Sequence, residues 1–382
     1  MKGKVICFPF IGDSRGGSYV SSAILIKELR NRGHHVKVIA HQRGPLTLYF
    51  EKIGVDYILL PLLWAETVQH SGLMISFRNL LQNIWPLYRF LKRNHVSIVH
   101  TNDARINILW SLPCSLARIK HIWHQRTRFA PSRMTSFYLR FSSCVICISD
   151  FVANSLPADF TGLSVVIPNA VLPTLPSDAD RVRCRKSMVE QAGLSSECRI
   201  VGSFGTLRDL KKPDIFAEAV ANLSSIYQHP IIAVVFGEDR ESWQPRMLSI
   251  LNSDEQRDRM LFMGFVDDIY PWMAACDLVT STSTDDGFGR TLIEAMHLGV
   301  PVVAAAAGGH TEVISHNETG CLVRPDDPND TAQAMLKLLS DDDFRHHIIK
   351  TARIIAYNNF SATSHCDAVE NVYTQVLGTA LS

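Results

Sequence analysis

The sequence lacks any apolar run long enough to cross a membrane, because its longest unbroken runs are under half of the roughly 18 residues required. It also lacks net charge of one sign, since 38 Lys and Arg residues against 37 Asp and Glu give +1. Hydrophobic residues make up 46% and charged residues 20%, without low-complexity tracts. These features exclude membrane-spanning, fibrous and disordered classes of protein.

The number and spacing of the cysteines match neither a zinc site nor a set of disulfide bonds. The nine cysteines are odd in number, and only Cys144 and Cys147 form a C-x-x-C pair. No second pair completes a zinc site. We therefore predict buried free thiols in a reducing cytoplasm, and no metal site.

Strand and helix patterns alternate along almost the whole chain. Buried strands are predicted at residues 4–10, 36–40, 57–60, 98–100, 121–124, 145–148 and 165–167, and then at 199–204, 232–236, 260–263, 278–280, 302–305 and 321–323. We interpret the N-terminal stretch as the first strand rather than a signal peptide. The repetition predicts an α/β fold with two Rossmann-like domains, each a parallel sheet covered by helices, around a central cleft.

A proline-rich linker at residues 168–180 separates two halves of opposite charge. Residues 1–172 hold 20 basic and 8 acidic side chains, a net +12, whereas residues 173–382 hold 18 and 29, a net −11. This asymmetry indicates either different partners for the two halves or attraction between them.

The most informative segment surrounds a Gly287-Phe288-Gly289 turn, which precedes a predicted helix at residues 290–298. Glycines at a helix N-terminus let backbone amides approach an anion, and the helix dipole favours negative charge there. Asp286 and Glu294 flank the turn, so both carboxylates are placed to face one ligand and pair with its hydroxyls. The pattern indicates a phosphate ester of a polyol; the alternative is a plain loop between strand and helix.

The full arrangement resembles the E-x7-E signature of the retaining family-four glycosyltransferases, which have the GT-B fold and use nucleotide sugars. Other motifs resemble that family in the same order, and they are Gly16-Gly17 (glycine loop), residues 167–171 (domain boundary), 201–207 with Lys212 (phosphate clamp), 263–266 and 276–278 (base pocket), and Phe360-Ser361 (start of the last helix). The resemblance covers the whole chain. It implies a first domain of residues 1–172 joined by a returning helix at 359–382, and a second, donor-binding domain of residues 173–358.

The resemblance implies a retaining transfer of sugar from a nucleotide diphosphate sugar, UDP- favoured over GDP-, to a hydroxyl of a glycan or lipid-linked acceptor in polysaccharide or lipopolysaccharide synthesis. Its implied catalytic residues are Lys212, Asp286, His124 and Arg208. Its implied donor-binding residues are Gly16, Gly17, Gly287, Phe288, Gly289, Arg290, Thr291, Leu292 and Glu294. No metal or other cofactor is implied, and no nucleic acid.

Three departures from the family pattern bear on activity. Asp286 replaces the usual first Glu of the signature. Thr206 occupies the position of the arginine in the phosphate clamp, and Pro213 replaces the glycine that follows the lysine of the clamp. Arg208 is the candidate to supply the missing charge. The alternatives are a nucleotide-sugar epimerase of the same architecture or a non-catalytic subunit that binds nucleotide sugar.

Basic side chains of the first half suggest a negatively charged surface as a further partner. The predicted helix at residues 77–93 combines Trp85, Tyr88 and Phe90 with basic residues, and Pro86 is expected to kink it or mark its start. Anionic lipid attracts such residues, so we predict peripheral contact at the inner face of the membrane. Arg126, Arg128, Arg133 and Arg140 form either a solvated face or a contact for a phosphorylated or membrane-bound acceptor.

Overall fold

The computed structural model describes residues 3–14, 16–63, 77–130, 132–194 and 197–378. The chain divides into two compact units. The first comprises Met1–Ala170 with Ala362–Ser382, and the second comprises Val171–Ser361. The sequence predicts domain boundaries after residues 172 and 358. The boundaries in the structure lie two residues earlier and three residues later, respectively.

The first unit is a parallel sheet with helices between its strands. Its strands are β1 (Val5–Phe10), β2 (His35–Ala40), β3 (Ile58–Leu59), β4 (Val96–Thr101), β5 (Lys120–Gln125), β6 (Cys144–Cys147) and β7 (Ser164–Val166). Its helices are α1 (Gly17–Asn31), α2 (Pro45–Ile53), α3 (Phe77–Arg93), α4 (Ala104–Ala117), α5 (Arg133–Leu139), α6 (Asp150–Ala153) and, at the end of the chain, α16 (Ala362–Leu377). The strand order is β3-β2-β1-β4-β5-β6-β7, and every pair is parallel.

The second unit repeats this architecture. Its strands are β8 (Arg199–Phe204), β9 (Ile231–Phe236), β10 (Met260–Gly264), β11 (Leu278–Ser281), β12 (Val302–Ala305) and β13 (Cys321–Val323). Its helices are α7 (Asp178–Gln191), α8 (Pro213–Ile226), α9 (Trp243–Ile250), α10 (Asp254–Asp258), α11 (Tyr270–Ala274), α12 (Arg290–Leu298), α13 (His310–Val313), α14 (Pro328–Ser340) and α15 (Asp342–Asn359). The order is β10-β9-β8-β11-β12-β13, again all parallel, so the predicted α/β class with two parallel sheets is confirmed.

Helix α16 belongs to the core of the first unit although it lies last in the chain. Val369, Val372 and Tyr373 pack into the cluster formed by β1 and α1. Arg32 at the end of α1 forms ion pairs with Asp367 and Glu370 of α16, at 2.5 and 2.6 Å. Apolar burial and these charge-assisted contacts together hold the C-terminal helix against the first sheet.

Helix α3 runs through Pro86, so the expectation that Pro86 marks a helix start is wrong. Leu80, Leu87 and Leu91 are buried. Trp85 remains 62% exposed and Leu81 49% exposed on the opposite face. Phe90 is intermediate in exposure and packs edge-on against Trp110 of α4, with ring centroids 6.2 Å apart.

All nine cysteines are buried and unpaired, as predicted. Burial raises the pKa of the Cys144 and Cys147 thiols to about 12. The thiolate fraction is therefore negligible at neutral pH, and these cysteines serve as small apolar side chains.

Candidate active site

The glycine turn of the second unit lies between the carboxyl end of β11 and the start of α12. Gly289 caps α12 in the left-handed region, with φ of +78°. Gly308 and Gly309 pack directly on the turn, because a Cβ at Gly308 would lie 2.5 Å from the Asp286 carbonyl oxygen, and one at Gly309 would lie 2.7 Å from the Gly287 oxygen. The Gly309 amide also donates to the Asp286 carbonyl at 2.8 Å. The second glycine pair therefore fixes the shape of the turn.

Asp286 organises this turn from within. Its Oδ1 accepts hydrogen bonds from the amides of Phe288 and Gly289, at 3.1 and 2.9 Å, and its Oδ2 accepts from Lys211 Nζ at 2.5 Å. Burial acts to raise the pKa of Asp286, but Lys211 and the turn amides outweigh burial and hold the pKa well below its usual range. Asp286 is therefore an ionised carboxylate committed to Lys211, and a contact with sugar hydroxyls stays a prediction.

Lys211, rather than the predicted Lys212, reaches the glycine turn. Lys212 has a left-handed backbone with φ of +51°, caps α8 and directs its ammonium group to Asp326 at 3.0 Å. A left-handed backbone is the conformation that glycine adopts most readily. The structure thus places Lys212 at a glycine-like position and Lys211, one residue earlier, beside the glycine turn. A phosphate contact by either lysine stays a prediction.

Hydroxyl groups at the end of β11 hold the loop that carries Lys211. Thr282 Oγ1 donates to the carbonyl oxygens of Lys211 and Lys212, at 3.0 and 2.8 Å. Ser283 Oγ donates to the Leu210 carbonyl at 2.8 Å. Arg208 caps the short 3₁₀ turn Asp209–Lys211 and is exposed. The sequence analysis did not identify Thr282 or Ser283, because Thr and Ser are too common in any sequence to indicate a role.

Glu294 lies one turn inside α12 and is only 6% exposed. Its Oε1 accepts from Arg290 Nε at 2.9 Å and from the Tyr270 hydroxyl at 3.4 Å. Burial and the adjacent Glu294 carboxylate raise the pKa of Tyr270 to about 12. Burial opposes the charge on Arg290, but Glu294 and Tyr270 outweigh it and raise the pKa of Arg290. Arg290 and Tyr270 thus fix the carboxylate in place.

Two of the predicted donor-binding residues have buried side chains, so a contact with the donor through their backbone amides stays a prediction. Leu292 is fully buried, and Phe288 is 5% exposed with its ring edge-on to Phe360, centroids 5.7 Å apart. Both side chains therefore contribute to the packing of the turn and of α12. Thr291 is intermediate in exposure at the first turn of α12. The Leu292 amide donates to the Gly289 carbonyl oxygen at 3.0 Å, and the positive end of the helix dipole at this turn favours an anion.

In the first unit, Gly16 caps α1 and Gly17 begins it. The loop before them is held by an ion pair that the sequence did not reveal: Arg105 donates to both carboxylate oxygens of Asp13, at 2.6 and 3.0 Å. Gly12 has φ of +106°, and a Cβ there would lie 2.1 Å from the Gln42 carbonyl oxygen. The bidentate pair and the close backbone contact fix Asp13 and Gly12, which precede the two glycines.

His124 lies near the end of β5 and is 1% exposed. Arg126 is also buried, and it donates to Asn102 Oδ1, Asn169 Oδ1 and Ser22 Oγ. The interpretation of Arg126 as part of a basic surface is therefore wrong, because amide oxygens replace water around its guanidinium. Arg140 does lie on the surface, where it pairs with the exposed Asp159 at 2.9 Å.

The described residues offer neither a metal-binding cluster nor a membrane-spanning helix. Within the described ranges, no group of three His, Cys, Asp or Glu side chains is placed to hold a metal ion. No helix among those same residues is long and apolar enough to cross a membrane.

Comparison with known proteins defines the class. The family described as Glycosyltransferase Family 4 matches residues 15–174, and that described as Glycosyl transferases group 1 matches residues 185–354. The chain belongs to the family-four glycosyltransferases, and it has their GT-B fold.

Individual relatives are distant but cover the chain almost completely. N-acetyl-alpha-D-glucosaminyl L-malate synthase of Bacillus anthracis is 23% identical over 98% of this chain and 96% of its own. The UDP-Gal:alpha-D-GlcNAc-diphosphoundecaprenol alpha-1,3-galactosyltransferase of Escherichia coli is 22% identical over 91% of each. The crystal structure of Anabaena HepE in complex with UDP-glucose superposes with a TM-score of 0.79 at 22% identity, covering 97% of this chain and 99% of that one.

Proposed function

We propose that this glycosyltransferase moves a sugar from a UDP-sugar to a hydroxyl of a glycan or lipid-linked acceptor, in polysaccharide or lipopolysaccharide synthesis. The observation that carries the donor assignment is the Lys211 ammonium beside the glycine turn and the first turn of α12. A cation and helix amides at one point suit a diphosphate. UDP is favoured because the Escherichia coli relative is named for UDP-Gal and the Anabaena structure contains UDP-glucose.

In this proposal Lys211 and the first-turn amides of α12 stabilise the negative charge that develops on the leaving diphosphate. Glu294 binds the ribose hydroxyls, and Asp286 keeps the turn and Lys211 in position.

Under this arrangement no metal ion is needed to stabilise the charge on the leaving group. We therefore expect turnover to be unaffected by a chelator; full loss in chelator with recovery on adding magnesium or manganese would contradict this.

We also propose retention at the anomeric carbon. Retention is the outcome that the family resemblance implies. Asp286 is bonded to Lys211 and two amides, and Glu294 to Arg290, so neither carboxylate is arranged as a nucleophile and we propose no covalent intermediate. The bond from the anomeric carbon to the phosphate oxygen breaks, and the acceptor oxygen bonds on the same face. The acceptor proton passes to the leaving phosphate oxygen, giving glycoside and UDP. NMR of the product distinguishes retention from inversion.

Replacing Glu294 by alanine is expected to weaken UDP binding by about 1–3 kcal/mol, the cost of losing a charged hydrogen-bond partner. Titration calorimetry measures the change, and the melting temperature checks folding, because Arg290 loses the ion pair with Glu294 in this variant. Glu294→Gln is the matched control, since its amide oxygen still accepts from Arg290. Wild-type affinity in the alanine variant would refute the ribose assignment.

The exposed face of α3 is our proposed membrane contact. Arg78, Leu81, Trp85 and Arg89 are exposed and follow one another at helical spacing. Basic groups near anionic lipid contribute about 1 kcal/mol each to binding.

Arg89→Glu should therefore reduce cosedimentation with anionic vesicles by roughly fivefold to thirtyfold. Arg183→Glu, at an exposed site of the second unit, should leave cosedimentation unchanged. Equal binding of the wild type to neutral vesicles would contradict the proposal.

A further inference from the structure

The first residue of α12 is an arginine, at a place in the fold where a cation is disfavoured. Arg290 begins the helix, so its guanidinium lies at the positive end of the helix dipole. Its side chain is only 16% exposed, and burial also opposes a charge. The order of its pair with Glu294 is unfavourable too, because a cation four residues before a carboxylate stabilises a helix less than the reverse order. A local arrangement this poor for stability indicates a role in the site.

Two hydrogen bonds fill one oxygen of the Glu294 carboxylate. Its Oε1 accepts from Arg290 Nε at 2.9 Å and from the Tyr270 hydroxyl at 3.4 Å. Each carboxylate oxygen has two lone pairs, so these two donors occupy Oε1. A pKa of about 12 keeps the Tyr270 hydroxyl protonated and able to donate at neutral pH. Among the residues that the structure describes, no other donor reaches this carboxylate, and Oε2 is the oxygen left for a ligand.

The two donors fix the carboxylate from different elements. Tyr270 is the first residue of α11, and Arg290 is the first residue of α12. A guanidinium is planar and its donors point in fixed directions, so it determines the orientation of the carboxylate as well as its position. Glu294 is therefore held in one orientation before a ligand arrives, and binding costs less conformational freedom.

We propose that Arg290 and Tyr270 are positioning residues, which hold Glu294 so that Oε2 alone accepts the ribose hydroxyls and thereby set a preference for ribonucleotides over deoxyribonucleotides. A site built to bind a hydroxyl rejects an analogue that lacks it, because a buried polar atom is then left without a partner. The inference rests on the proposed binding of a UDP-sugar with its ribose at Glu294. It assigns Arg290 a role through Glu294 rather than a contact with the diphosphate.

Titration calorimetry with UDP, 2′-deoxy-UDP and 3′-deoxy-UDP tests this inference. The wild type should bind UDP roughly tenfold to a hundredfold more tightly than the weaker of the two analogues, the range of a hydrogen bond to a charged group. The ratio of these two affinities is the readout, because a general loss of structure weakens the binding of both nucleotides alike. Equal affinities of the wild type for all three nucleotides would overturn the inference.

Arg290→Met removes the guanidinium and keeps an apolar side chain at that position. In this variant the ratio should fall to about threefold or less, because Glu294 is free to turn and water competes with the ribose for its oxygens. A wild-type ratio, with both affinities reduced equally, would mean that Arg290 contacts the phosphates and would overturn the inference.

Tyr270→Phe is the second variant, and it tests the inference even if Arg290→Met does not fold. It keeps the aromatic ring and leaves the ion pair of Arg290 with Glu294 in place. Loss of the hydroxyl opens one lone pair of Oε1, and the ratio should fall by roughly twofold to tenfold, the range of one hydrogen bond. A wild-type ratio in this variant would contradict the joint role of the two residues.

Lys186→Met is the matched control on α7. Lys186 lies four residues before Glu190, in the same order as Arg290 and Glu294, but both of its partners in that comparison are exposed. This variant should change neither the affinity for UDP nor the ratio. Failure of the wild type to bind UDP would refute the proposed function together with this inference. Binding of UDP with an unchanged ratio in Arg290→Met would refute the inference alone.

Discussion

Replacing Lys211 by alanine should lower kcat by roughly a hundredfold to a thousandfold, the range seen when a preorganised donor to a developing anion is removed. Lys211 Nζ lies 2.5 Å from Asp286 in the glycine turn, beside the N-terminus of α12. Its charge is therefore positioned where the diphosphate leaves in our proposal. Initial rates of UDP release measure the effect, with donor and acceptor both saturating.

The adjacent lysine is a matched control. Lys212→Ala removes the same side chain one residue later, but Lys212 pairs with Asp326 and is 34% exposed. An exposed ion pair contributes about 0–1 kcal/mol, so kcat should change by no more than about fivefold. A larger effect of Lys212→Ala than of Lys211→Ala would restore the assignment suggested by the sequence and refute the one drawn from the structure.

Adding one methyl group at Gly308 should weaken UDP binding by at least about tenfold, or 1.4 kcal/mol. A Cβ there would lie 2.5 Å from the Asp286 carbonyl oxygen and 3.1 Å from its nitrogen. Both contacts are to backbone, so the turn itself must move, and Asp286 then releases the amides and Lys211. Calorimetric titration of UDP into Gly308→Ala measures the loss.

Gly193→Ala controls for the cost of a left-handed backbone. Gly193 has φ of +64°, close to the +58° of Gly308, but a Cβ at Gly193 meets no atom within 4 Å. Both variants should lose about 1–2 kcal/mol of stability from the backbone conformation. Only Gly308→Ala should lose UDP affinity. Equal affinities in the two variants would show that the turn does not contact the nucleotide.

The sheets were predictable because parallel strands are covered on both faces and therefore appear as continuous apolar runs. Residues 231–236 form such a run, and β9 comprises the same residues, all buried. The edge strand β3 is only two residues long, and both its residues are exposed, so its pattern was the weakest. The glycine turn was predictable because its glycines and the helix that follows it are adjacent in the sequence, so no distant contact is needed to recognise them.

The choice between Lys211 and Lys212 was not predictable from local sequence. It depends on hydrogen bonds from Thr282 and Ser283, about 70 residues away, which hold the loop and so direct each side chain. The contacts of His100 with His124 and Tyr373 were hidden for the same reason, since Tyr373 reaches β4 only through the packing of α16. A buried arginine such as Arg126 resembles a surface arginine until its amide partners are known.

A crystal structure of the protein with UDP tests the central claim most directly. We predict the β-phosphate within hydrogen-bond distance of Lys211 Nζ and of the first-turn amides of α12, with the ribose hydroxyls at Glu294. UDP bound elsewhere, or a β-phosphate held by Lys212 with Lys211 still paired only to Asp286, would contradict the account.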